Sequence, residues 1–162
     1  MKLDQRWLIL IIAGIAAASV PLAMAQDAKE HAMHSGNVAG DARQLVKFPE
    51  PMRLHTLSNM RYHLLALQDI HAALSQAAYD KAAQVAEQRL GMSSLDAHGA
   101  AHLAPFMPQA MQNMGTAMHR AASRFAVEAQ NASASNDLRP VLAALAGVMQ
   151  QCVACHAVYR MN

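Results

Sequence analysis

Five consecutive residues near the end of the sequence, Cys152-Val153-Ala154-Cys155-His156, set two thiols and an imidazole at a spacing that can do specific chemistry. Cys-x-x-Cys-His is the pattern of c-type haem attachment. Two thiols on one short segment can each form a thioether with a haem vinyl group, and the next side chain then brings its imidazole under the iron. Neutral imidazole is a good iron ligand, and a covalently pinned ring stays in place when the iron changes oxidation state. A thioredoxin-like pair would want a strand–helix context that the sequence does not offer. A zinc site would need further ligands, and no second cysteine pair exists. The expected cofactor is one covalently bound haem c, attached through Cys152 and Cys155, with His156 as the proximal iron ligand.

The other end of the chain reads as an address. Lys2 and Arg6 flank a short n-region, Trp7 to Leu22 are mostly apolar, and Ala23-Met24-Ala25 offers an A-x-A cleavage site. Residues 1–25 are therefore expected to be a signal peptide, and the mature protein to be periplasmic. Export and motif agree, because haem is attached to Cys-x-x-Cys-His outside the bacterial cytoplasm. The mature chain has about 137 residues, enough for one domain with one core. Thirteen basic residues face eleven acidic ones over the whole sequence, with no basic block. That balance argues against a nucleic-acid or anionic-membrane partner. Abundant alanine and sparse β-branched residues favour helix.

Helices must position the motif. Residues 26–48 are polar and aperiodic and read as a flexible N-terminal segment; its His31 and His34 are more simply a solvated pair than a metal site. Residues 49–162 form the expected domain. Pro49 and Pro51 announce a first helix to about Ser75, with Leu57, Met60, Leu64, Leu67, His71 and Leu74 at steps of three and four, widened by Leu54 and Ile70. A second helix starts near Tyr79-Asp80 and ends before Gly91, a fitting C′ residue. Met92 to Phe106 reads as a long connection holding His98 and His102. Pro108 opens a third helix whose stripe is Met111, Met114, Met118, Ala121, Phe125 and Ala129. Gly115 within it suggests close approach of the haem or another helix. Asp137 caps a last helix with Leu138, Leu142, Leu145, Met149, Cys152, His156 and Tyr159 on one stripe. The expected fold is all-α, an antiparallel four-helix bundle with the haem motif at its C-terminal end.

Because almost nothing follows His156, any sixth iron ligand must come from an earlier helix. At this point Cys152-Val-Ala-Cys-His-Ala-Val-Tyr-Arg160, together with the signal and the four helices, resembles the class II c-type cytochromes, which include cytochrome c′ and its low-spin relatives. In that family the distal slot lies on the first helix, roughly five turns before an x-Tyr-Asp step. Counting back nineteen residues from Tyr79 in Ala78-Tyr79-Asp80 reaches Met60. The resemblance implies Met60 as distal ligand and a low-spin carrier of single electrons, not an enzyme. It also implies periplasmic redox proteins as partners and, as often in the family, a homodimer. Leu57, Leu64, Met149, Tyr159 and Arg160 are expected to line the haem pocket. The chain departs from the family four residues before the distal slot, where many members have Arg and this one has Thr56; Arg53 and Arg61 are the nearby substitutes.

The residues themselves also place Met60 on the inward stripe. Thioether ligation raises the reduction potential and suits an electron carrier. His63 and His55 are rival ligands on the same helix. A five-coordinate, gas-binding (NO or CO) cytochrome c′ is the first alternative function. The second is a periplasmic copper-binding protein using Met107, Met111, Met114 and Met118 with His102 and His119, since soft thioethers suit Cu(I). The simpler reading of that row is a polarizable packing surface around the haem edge. No paired carboxylates, Ser/His/Asp set or phosphate loop is evident.

Overall fold

The protein is all-α apart from one short strand pair. The computed structural model describes residues 40–162, and Arg43–Asn162 form one compact unit. The expected signal peptide, residues 1–25, and His31 and His34 lie outside the described residues. In chain order the elements are β1 (Gln44–Val46), α1 (Glu50–Ser75), α2 (Tyr79–Arg89), a 3-10 turn (Met92–Ser94), α3 (Ala100–Leu103), a second 3-10 turn (Ala104–Phe106), α4 (Gln109–Ser135), α5 (Leu138–Val158) and β2 (Tyr159–Met161).

The helix limits follow local chemistry. Pro49 and Pro108 stand at the N-caps of α1 and α4, where a missing N–H costs nothing. Asp137 caps α5, its carboxylate accepting from Arg139 N. Asn136, at φ 55°, ends α4 in the left-handed conformation that asparagine tolerates. Gly91 does not play the left-handed role expected of it; its φ is −72°. A Cβ there would stand 2.7 Å from the Glu87 carbonyl oxygen, so the requirement is close approach.

α4 packs against α5 and α2, and α2 packs against α1. Their shared core joins Ile70, Leu74, Val85, Leu90, Phe125, Val141, Leu145 and Val148 with many alanines, among them Ala66, Ala82, Ala86, Ala122 and Ala129. Small side chains on every facing surface let the helix backbones approach closely. Phe125 is fully buried. Phe125→Ala is expected to cost about 3–5 kcal/mol, measured by denaturant unfolding.

The inward faces are rotated from the leucine stripes expected. On α1 the buried residues are Thr56, Asn59, Ala66, Ile70, Ala73 and Leu74, while Leu64 is 67% exposed and His71 is also outside. On α5 they are Val141, Leu145 and Val148, while Leu142 and Met149 are exposed. Alanine-rich faces pack the core, so several large apolar side chains are left outside. Among the described residues, α5 is long and apolar enough to cross a membrane by length and composition.

Part of the segment expected to be flexible is ordered. β1 pairs in parallel with β2, Gln44 opposite Tyr159, Leu45 opposite Arg160 and Val46 opposite Met161. Val46, Phe48, Leu103 and Tyr159 form a second buried cluster, with Met107, Met111, Met114 and Cys155 packed on it. Phe48 N donates to Asn162 Oδ1 at 3.1 Å, and Arg43 Nη1 donates to the His156 carbonyl at 3.3 Å. The segment before α1 is thereby tied to the end of α5.

Candidate functional site

Cys152, Cys155 and His156 fall within α5 at helical steps of three and four, which puts them on one side of the helix. All three line a cavity of ≈ 350 Å³, within the range of small-molecule and cofactor sites. α1 contributes Thr56, Asn59, Met60 and His63 to its wall. α4 contributes Met111, Met114, Gly115, Met118 and His119, and the α2–α4 connection contributes His98, Leu103 and Met107. The structure therefore brings Met60 and the Cys-x-x-Cys-His residues, 92 positions apart at the nearest, to one largely apolar space.

Other expected pocket residues lie elsewhere. Leu57 is half-buried and outside the cavity wall; Leu64 and Met149 are exposed. Tyr159 is buried in the strand-side cluster, and Arg160 follows it on β2. The methionine row does face the cavity, but Met107, Met111 and Met114 also pack against the strand-side cluster. Gly115 is not a tight helix crossing: a Cβ there would meet nothing within 4 Å. Its missing side chain leaves room in the cavity instead. Thr56 turns its hydroxyl back to the Met52 carbonyl at 2.8 Å, and Arg53 is paired with Glu50.

Both cysteines are free and half-buried. Burial raises both thiol pKa values, and the neighbouring Cys152 raises Cys155 further. Such thiols stay protonated at neutral pH, unlike the thiolate of a dithiol oxidoreductase.

A histidine cluster was not foreseen. His63, His98 and His119 come from α1, the connection and α4, and each lines the cavity. Ring centroids are 4.6 Å apart for His63–His98, 5.4 Å for His98–His119 and 6.0 Å for His63–His119. His98 and His119 are buried. Two donors, Asn59 Nδ2 and His55 Nε2, meet the His98 carbonyl at 2.9 Å each, which fixes the loop against α1. These bonds explain why Asn59 faces inward. His98 sits in a loop without periodicity, so only its identity could have drawn notice.

Desolvation, aided by the neighbouring imidazoles, pushes the pKa of both His63 and His98 down to about 4. Burial also lowers that of His119, against hydrogen bonds that oppose the shift. The unfolded chain thus binds more protons between pH 6.5 and about 4, so stability is complete above that window and falls as the pH drops through it. In the presence of a chelator, urea unfolding at stepped pH should show a slope of up to about 1.4 kcal/mol per pH unit for each histidine concerned. His98→Gln should flatten it.

Among the described residues, no three His, Cys, Asp or Glu side chains are already arranged to hold a metal ion. The chain is an all-α protein with a two-thiol, multi-histidine cavity. No family model, curated protein or solved structure matches it.

Proposed function

We propose that this is a periplasmic class II-like c-type cytochrome that carries single electrons. The observation that carries the reading is that one cavity is lined by Cys152, Cys155 and His156 from α5 and by Met60 from α1. Two sulfurs and an imidazole on one wall, with a thioether on another helix, are the donor set a covalent haem needs. The mostly apolar lining suits a porphyrin face, and Gly115 adds space. On this reading α1, α2, α4 and α5 are the antiparallel four-helix bundle of that family.

When bound, haem supplies reversible one-electron iron chemistry. The chain's own residues do the rest. Cys152 and Cys155 hold the ring, and α5 keeps His156 in register with them. Met60 offers sulfur, which favours ferrous over ferric iron. The apolar wall excludes water, and the β1–β2 tie steadies the end of α5. Exposed Leu142, Met149 and Val153 on α5, with Leu64 and Leu65 on α1, give a redox partner or a second copy apolar surface to cover.

His63 also lines the cavity, one turn from Met60, and so favours a second reading in which an imidazole takes the sixth position at a lower potential. A visible spectrum of the exported, purified protein tests the proposal. Sharp low-spin ferrous bands are expected; a spectrum without haem ends it.

A further inference from the structure

We infer that His63, His98 and His119 form a second metal site, for a late first-row cation of the zinc type, separate from the Cys-x-x-Cys-His motif. Spacing is the first support. With metal–nitrogen bonds of about 2.0–2.1 Å and tetrahedral angles, three imidazole centroids stand about 5 Å from one another. The observed separations of 4.6, 5.4 and 6.0 Å surround that value. The rings need turning about their side-chain torsions to converge, and the cavity beside them gives the room.

Unmet valence is the second support. His63 Nε2 and His98 Nε2 are buried with no hydrogen-bond partner, and His98 is 6% exposed. A buried imidazole nitrogen without a partner is costly, and a metal ion would satisfy both.

The outer bonds set the tautomers. His119 Nδ1 stands 2.7 Å from the Leu90 carbonyl, which can only accept, so Nδ1 carries the proton. Ser94 Oγ gives its proton to the Gly91 carbonyl at 2.7 Å, leaving the oxygen to accept from His98 Nδ1 at 3.4 Å. His98 and His119 therefore each keep the Nε2 lone pair free, backed by a hydroxyl and a carbonyl respectively, while the Nε2 of His63 is buried without a partner. Backing of this kind is typical of ligating histidines. Low pKa values keep the rings neutral at pH 7, so no proton must be displaced. Three neutral imidazoles suit zinc or copper and would leave the fourth position to water or a small ligand.

The site shares its cavity, and His63, with the haem reading, but the tests are distinct: mass spectrometry decides the haem, and zinc binding decides this. The test is calorimetric titration of the purified mature protein with Zn²⁺ at pH 7.5. One equivalent should bind with Kd below about 1 µM, weakening at least about 100-fold in His98→Ala and in His119→Ala. A His31→Ala/His34→Ala/His102→Ala variant should bind as the wild type does. Zinc-edge X-ray absorption of the loaded wild type, which needs no variant to fold, should show three imidazole ligands. Absence of wild-type binding, survival of binding in both single variants, or fewer than three imidazoles would overturn the inference.

Discussion

On the proposed haem reading, Met60→Ala is expected to convert the protein from low-spin to high-spin iron. Met60 on α1 lines the same cavity as His156 and the two cysteines on α5. Alanine could not reach a haem iron, so the position Met60 would hold would open and ferrous iron would become able to bind carbon monoxide. Loss of the thioether also lowers the reduction potential, since sulfur favours the ferrous state. Visible spectra of both oxidation states, with and without carbon monoxide, read the change. An unaltered low-spin spectrum in the variant would move the ligand assignment to His63, also on the cavity wall. A wild type that is already high-spin and takes up carbon monoxide would favour the gas-binding alternative.

The second large effect is on covalent attachment. Produced in a host able to mature c-type cytochromes, the exported wild type should weigh one haem more than its processed polypeptide. The Cys152→Ser/Cys155→Ser variant should weigh as the polypeptide alone, and Cys155→Ser by itself should give an altered pyridine haemochrome. Both thiols are half-buried on the cavity wall, where burial raises their pKa and so disfavours a competing thiolate chemistry. A wild-type mass without an added group would end the haem reading.

Helix existence and limits were legible because punctuation residues carry their own physics. Pro49, Pro108 and Asp137 mark helix starts in the sequence and do so in the structure. The rotation of α1 and α5 was not legible. A stripe drawn through leucine and methionine put Leu64 and Met149 inside, whereas Ala66, Ala73 and Val148 make the tight contacts. Alanine signals helix strongly but burial weakly, so the stripes were drawn off-centre: Leu67, Ile70, Leu74, Leu138 and Leu145 do meet the core, while Leu64, Leu142 and Met149 do not. β1 and β2 have three residues each, too few for any alternation to show.

Within the site, chain order and family spacing made Met60 the expected distal iron ligand opposite His156; the structure puts both residues on the wall of one cavity. The histidine cluster was invisible because its members come from a helix, an irregular connection and another helix. Only folding makes neighbours of His63, His98 and His119.

The β1–β2 pairing has a consequence for the order of assembly. It joins Gln44–Val46 to Tyr159–Met161, so a chain that emerges amino end first cannot close it until α5 has been made. The contact also spans nearly the whole described chain, and so carries the largest loop-closure cost of any strand or helix pairing in it. Cys155 packs on the cluster that this pairing closes, so its cover is complete only once the latch has shut.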